Sequence, residues 1–357
     1  MKDNFNKKII YFLLMCTLGV SCILFYYLMS SNTYGPDKTA NKNNRVIDLL
    51  GRLQVAGNQI VDQNGKPVAL HGMSLFWSQW MGKYYTPDCI KWLRDDWHCT
   101  VIRAALGVTP AGYLENPEVE LKKMYTVIDA CLDLGIYVIV DWHDHNAHNH
   151  QQAAITFFKD IATKYGSHPN IIYEIYNEPE KISWTEVIKP YAESVIKSIR
   201  SKHSYNLILV GTPTWSQDVD IASQDPLLFD NIAYTLHFYA STHGQYLRDK
   251  ATIALQNRAA IFVSEFGTCE YTGTGLINRI ELDNWFNFMQ KNQISWCNWS
   301  IADKNETSAA LIPGASPEGG WTDIDLSRSG LIIRNQIRLL NESIFKLPGQ
   351  AELPPTP

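Results

Sequence analysis

Two glutamates stand in surroundings that suit acid–base chemistry: Glu178 in the run IYEIYNEP, between Asn177 and Pro179, and Glu265 in IFVSEFG. Breaking a glycosidic bond asks for such a pair, because one carboxyl must protonate a poor leaving group while the other meets an oxocarbenium-like centre. Their surroundings must then hold them in different protonation states. Carboxyls about 5–5.5 Å apart give double displacement with retention, and about 6.5–9.5 Å gives inversion. Arg103, His143, Asn177, His237, Tyr239 and Trp299 also fall at or just past the ends of short apolar runs, where core filling explains them poorly. The segment DWHDHNAHNH offers a metal alternative through Asp141, Asp144, His143, His145, His148 and His150. Imidazole-rich runs do bind zinc or nickel, but no second ligand set at another strand end completes a coordination sphere. No metal or other cofactor is therefore expected. Glu174 lies deeper than Glu178, Glu180 lies in a loop, and Glu270 is expected at a solvated rim.

The elements that must carry these residues are legible as eight short apolar runs: VALHGMS, TVIRAAL, IYVIVDWH, IIYEIYNE, NLILVGT, NIAYTLHFY, IFVSEFG and ISWCNWS. Their continuous apolar character suits strands buried on both faces. Helical patterns such as PDCIKWLRDDW, PEVELKKMYTVIDACLDLG and WTEVIKPYAESVIKSIRSKH separate them, giving the crossovers that parallel pairing requires. The expected fold is α/β, a (β/α)8 TIM barrel, with a doubly wound sheet as the alternative. LQVAGNQIVDQNGKPV, ahead of the first run, reads as a short N-terminal hairpin with turns at Gly57-Asn58 and Asn64-Gly65. In a barrel the strand ends converge on one face, where active sites lie. Strands four and seven then set Glu178 and Glu265 facing each other across the mouth.

The chain has 357 residues, 45% hydrophobic and 19% charged, with a net charge of −5. This composition fits a folded core, and the absence of a basic stripe excludes nucleic acid as a partner class. Eleven tryptophans suit a site that stacks on sugar rings, or a large core; Trp92, Trp97 and Trp285 fall in helical patterns and are expected in the core. Residues 1–30 hold an apolar run, residues 9–30, behind Lys7 and Lys8. Its length favours an uncleaved bilayer anchor over a cleaved signal segment, and either places the rest of the chain outside the cytoplasm, secreted or membrane-anchored. Residues 31–52 read as a polar stalk, 53–343 as the folded domain and 344–357 as a Pro-rich tail. Five cysteines lie beyond the apolar run, without metal-ligand spacing. Most suit buried apolar positions, although an oxidising location permits a Cys89–Cys99 disulfide.

With these residues assembled, YNEP at 176–179 and SEFG at 264–267 resemble glycoside hydrolase family 5, the cellulases of clan A, most closely bacterial-type endo-β-1,4-glucanases. LHGMSLFWSQWMG, VIRAAL, VIVDWHDHN, TLHFYASTHG and SWCNWSIADKNETSAAL carry the resemblance across most of residues 53–343. It implies Glu178 as acid/base, Glu265 as nucleophile and net retention on a β-glucan substrate, by a monomeric catalytic domain. Asn177 would bond the sugar 2-hydroxyl, and Arg103 and Tyr239 would hold the nucleophile, the guanidinium lowering the pKa of Glu265. His143 and His237 would line the subsites at the cleaved bond. Trp299 would stack beside the nucleophile, Trp80 toward the non-reducing end and Trp215 on the leaving-group side, with Lys304 and Glu306 contacting a more distant glucose. Phe76 departs from the His that many relatives carry and touches subsite contacts rather than the carboxylates. Mannan, xyloglucan, lichenan or chitosan remain open as substrates, as does a disabled barrel that only binds carbohydrate.

Overall fold

Residues 45–345 are described by a computed structural model, so the apolar run at 9–30 lies outside the described residues. Among those described, no helix is long and apolar enough to cross a membrane. A short helix at Val46–Leu50 comes first and buries Val46 and Ile47. The stretch read as stalk thus contains a helix, whose two apolar side chains join the main core. Strands β1 (Gln54–Ala56) and β2 (Gln59–Val61) pair antiparallel about the Gly57-Asn58 turn, as expected.

All eight apolar runs become strands: β3 (His71–Leu75), β4 (Val101–Gly107), β5 (Tyr137–His143), β6 (Ile171–Glu174), β7 (Ile208–Val210), β8 (Ile232–Tyr239), β9 (Ile261–Gly267) and β10 (Ser295–Ile301). They close in sequence order, β10 pairing back onto β3, and every pairing is parallel. The doubly wound alternative is excluded by that closure.

Local sequence sets the crossovers. Pro87 and the Thr86 side chain, which accepts from the Cys89 amide, start the helix Pro87–Asp95. The helix Pro117–Leu134 stops at Gly135, whose φ of 70° is cheap without a Cβ. Pro190 cannot donate a helix hydrogen bond, and the turn before it widens into a π segment, Trp184–Ile188, ahead of Lys189–Arg200. The last helix, Arg328–Phe345, ends within the stretch read as tail. Its Asn341 bonds the buried His71 ring at 2.8 Å beneath the barrel. Trp97 and Trp285 are fully buried and Trp92 is half-buried. The five cysteines are buried free thiols, so the permitted Cys89–Cys99 disulfide is not formed.

Candidate active site at the barrel mouth

The polar centre grows from the interior of the barrel upward. Arg103 is the third residue of β4, not a strand-end residue, and its side chain is 0% exposed. Such a cation persists only if its donors are all engaged. Nε and Nη2 form a fork on Glu174 at 2.7 and 3.2 Å, while Nη2 also meets Asn177 Oδ1 at 2.6 Å and Asp141 at 2.9 Å. Nη1 donates to Glu265 at 3.0 Å and to Ser74 at 3.3 Å. The Tyr239 hydroxyl donates to the second Glu265 oxygen at 2.9 Å. Gly267 makes room for that ring, since a Cβ there would lie 2.1 Å from it.

Glu178 arrives by a different route. β6 ends at Glu174, and the chain leaves the sheet before Asn177 and Glu178, which sit on a loop over the mouth. Glu178 accepts from His237 Nδ1 at 2.8 Å and has His145 Nδ1 at 3.6 Å. His237 Nε2 lies 2.9 Å from the Ser264 hydroxyl, which itself donates to Glu174 at 2.6 Å. With the serine proton spent on Glu174, both imidazole nitrogens act as donors, and His237 is an imidazolium. Burial works to lower its pKa, but hydrogen bonds toward Glu174 and Glu178, with the Glu265 charge, lift it to about 9.

The carboxyl pair divides in a way that residue types did not reveal. Burial pushes Glu178 up, yet the His237 hydrogen bond and charge, helped by His145 and Arg103, hold it below the usual carboxylate value. Burial and the Glu178 charge push Glu265 up and outweigh His237, Arg103 and Tyr239. Arg103 does lower Glu265, as expected, but the expected net lowering is corrected, because burial and the neighbouring Glu178 charge outweigh it. Asp141 is pushed well up by burial, and His143, which bonds it at 2.6 Å, is held neutral by burial and Arg103.

A Glu178 oxygen, a Glu265 oxygen and a His237 nitrogen all lie within 4.8 Å of one another. That spacing could hold a divalent cation, but metal binding needs a neutral imidazole nitrogen, and both nitrogens of His237 are committed to Glu178 and Ser264. The residues fit a proton-carrying site better than a metal site. Asp144, His148 and His150 serve the loop instead: His150 bonds Asp144, and His148 bonds the Tyr176 hydroxyl. Glu180 and Glu270 are exposed, as expected.

Aromatic rings wall the mouth. Trp299 stacks on His143 (5.2 Å, 5° between planes) and leans on Phe76 at 5.1 Å. Trp77 meets His143 edge-on and carries Trp80 at 4.9 Å. Trp80, after β3, is 52% exposed, and Trp215, after β7, is 37% exposed. In the order of the barrel these strands stand on opposite sides, so the two open rings flank the carboxyl pair. Lys304 pairs with Glu306 at 2.7 Å and caps the Phe76 ring at 4.5 Å, placing these three residues in one group on the rim.

Trp215 is held at a backbone cost. Thr214, Trp215 and Ser216 have φ of 60°, 55° and 56°, each about 1–2 kcal/mol above the right-handed form. The Thr214 and Trp215 amides donate to Glu180 and Pro179 at 3.0 and 2.7 Å, and the Ser216 hydroxyl donates to the Asn177 carbonyl at 2.7 Å. These bonds tie the loop carrying Trp215 to the loop carrying Glu178.

Arg103, His143, Asn177, Glu178, His237, Tyr239, Glu265 and Trp299 meet at the mouth, while Trp80, through Trp77, and the Lys304–Glu306 pair, through Phe76, extend from it along the rim. Sequence reasoning weighed Asp141 and His145 only as metal ligands and Glu174 only as a deeper carboxylate, and it missed Ser264, Ser74 and Trp77. The roles of Glu174 and Asp141 could have been suspected from carboxylates inside apolar runs, IIYEIYNE and IYVIVDWH, since an ionisable group there needs a buried partner.

The model of the cellulase family, glycosyl hydrolase family 5, matches residues 61–305. This chain belongs to glycosyl hydrolase family 5. Among its relatives, an endoglucanase of Clostridium saccharobutylicum is 43% identical over 94% of the chain and 73% of its own length. Endoglucanase Z of Dickeya dadantii is 49% identical over 73% of the chain and 62% of its own length. A solved structure from Cytophaga hutchinsonii has a TM-score of 0.83 at 52% identity, covering 84% of this chain and 98% of that one. The catalytic domain of a Thermobifida fusca endoglucanase, solved with cellotetraose, has a TM-score of 0.79 at 34% identity, covering 82% and 99%. The chain thus spans 98–99% of these solved structures but only 58–66% of the length of several curated relatives.

Proposed function

We propose that this chain is a retaining endo-β-1,4-glucanase in which Glu265 is the nucleophile and Glu178 the acid/base. The observation that carries the reading is the approach of the two carboxyls to within 4.8 Å, on the side of double displacement rather than inversion. Glu265 attacks the anomeric carbon while Glu178 protonates the departing glycosidic oxygen, leaving a covalent glycosyl-enzyme. Glu178 then takes a proton from water, which attacks the same carbon and releases Glu265.

The proton for the first step resides on the His237–Glu178 pair. In the open site His237 holds it, one hydrogen bond from the carboxyl. A sugar ring covering the 14% of Glu178 still exposed strengthens the burial that favours the protonated acid. Arg103 and Tyr239 fix the attacking oxygens, and Asn177, held by Arg103, presents its amide to the 2-hydroxyl. Trp299, Trp80 and Trp215 supply stacking platforms along the cleft, with Lys304 and Glu306 at a more distant glucose. The relatives' endoglucanase names and the cellotetraose of the Thermobifida fusca structure support a β-1,4-glucan as substrate. The apolar run at residues 9–30 supports a location outside the cytoplasm, through a bilayer anchor or a cleaved leader, and the catalytic unit is read as a monomer.

Reducing-sugar release from carboxymethyl cellulose, β-mannan and xylan, with EDTA present and Glu265→Ala alongside, tests the reading. Chelator-resistant activity on cellulose that disappears in the variant supports it. A folded chain silent on cellulose overturns the substrate, and activity restored by a divalent cation overturns the mechanism.

A further inference from the structure

A groove of about 650 Å³ runs down the flank of the barrel between the helices Gln245–Gln256 and Arg279–Lys291, away from the carboxyl pair. Its upper end begins at Gln245, just past the loop in which the His243 amide bonds the Tyr239 carbonyl on the active-site face. Its foot is closed by Asn58 and Asn292, the β1–β2 turn being tied down through Asn58 to Leu255 and through Gln59 to Asn292. Twelve helical residues give it a length of about 18 Å. Its volume lies within the range of small-ligand pockets, roughly 300–1,000 Å³.

The lining chemistry is selective. Gln245, Gln256, Asn284 and Asn287 put four carboxamides on the walls, and half-buried Phe288 supplies an apolar floor. Solvent-facing stripes of surface helices ordinarily carry Lys and Glu; this lining holds two cations, Arg248 and the exposed Lys291, and no carboxylate. Arg248 reaches the groove, but Glu281 neutralises it, Gln245 bonds it and the Trp285 ring lies against it at 5.1 Å. Lys291, beside Asn292 at the foot, has no ion pair among the described residues, but a single exposed ammonium gives an anion little hold. An apolar ligand would strand the amides. The exposed amides of Gln256 and Asn287 form no side-chain hydrogen bond among the described residues. A carboxamide donates and accepts at once, which matches a hydroxyl-covered ring whose C–H face rests on an aromatic surface.

We propose that this groove is a second, non-catalytic binding site for a β-glucan chain, holding polymer against the flank while the mouth cuts it. The choice of sugar rests on the glucanase reading above. Two linked sites on one polymer raise apparent affinity without changing the chemistry at either. The test is calorimetric titration of cellohexaose into the full-length Glu265→Gln protein, with and without Gln256→Ala/Asn287→Ala. Two sites per chain are expected, falling to one in the double variant. On the otherwise wild-type enzyme, the double variant should raise KM for soluble β-glucan several-fold and leave kcat/KM for cellotetraose unchanged. One site per chain in the parent, or two sites persisting in the variant, overturns the groove and leaves the glucanase reading standing. Absence of binding everywhere, with no hydrolysis of cellotetraose, overturns both.

Discussion

Replacing Arg103 by Met keeps a side chain of similar length in the barrel but removes the charge that faces Asp141, Glu174 and Glu265 at 2.9, 2.7 and 3.0 Å. Breaking a buried ion pair costs about 3–5 kcal/mol, mostly through the uncompensated partner left behind. Part of that cost is escaped by protonation. Glu174 is held below its usual value because Arg103 and His237 outweigh its burial, so in the variant burial wins and its pKa rises. The folded variant then takes up protons that the unfolded chain does not, and its stability improves as pH falls. For a domain of this size about 2–4 °C accompanies each kcal/mol. Calorimetric melting should show Arg103→Met about 10 °C below wild type at pH 8, with a smaller gap at pH 5. Arg103→Lys should lie between, since it keeps the charge and loses the fork. A Met variant melting within about 2 °C of wild type at pH 8, or a gap indifferent to pH, would refute the claim that this guanidinium organises the centre.

Other consequences follow from the same network. Glu178→Ala should lower turnover of unactivated cello-oligosaccharides by about 10²–10⁴-fold and spare the first step for aryl glycosides with acidic leaving groups; equal losses on both substrates would count against Glu178 as the acid. His237 is held up at about 9, so its stabilising contact with Glu178 is fully present below the ordinary histidine value of 6.5 and is lost as pH rises through 9. Glu178, held below 4.5, keeps its side of that contact until pH falls beneath that value. The melting difference between wild type and His237→Asn should therefore be widest at about pH 5–6.5 and shrink above pH 9, and a difference that grows with pH would show the assignment reversed. Trp80→Ala removes an open ring at the mouth and should raise KM for cellohexaose about 3–10-fold, the equivalent of one stacking contact, with melting unchanged; an unaltered KM would remove Trp80 from the substrate path.

The fold was legible because its signal is repeated: each run from VALHGMS to ISWCNWS is apolar on both faces, and each is followed by a crossover of its own. Glu178, Glu265, His237 and Tyr239 were legible because polar groups in and just past such apolar runs have no packing reason to be there. Partnerships inside the barrel were not. Glu174 reads as a carboxylate too deep to matter, and only the closure of β4, β5, β6 and β9 around one point shows it sharing Arg103 with Glu265. The direction of the Glu265 pKa was misjudged for a related reason: a guanidinium is visible in sequence, but the depth of burial and the closeness of the Glu178 charge that outweigh it are not. The left-handed turn at 214–216 left no signal either. Thr, Trp and Ser are unusual there, and the turn exists because neighbouring carbonyls at 179 and 180 accept its amides.

The central claim, that Glu265 becomes covalently bonded to sugar, is tested most directly by trapping. A 2-deoxy-2-fluoro cellobioside with a good leaving group should add one glycosyl unit per chain and stop turnover, and peptide mass spectrometry should place that mass on Glu265 within IFVSEFG. A label on another residue, or an enzyme that turns over without labelling and releases product first as the α-anomer, would contradict the account.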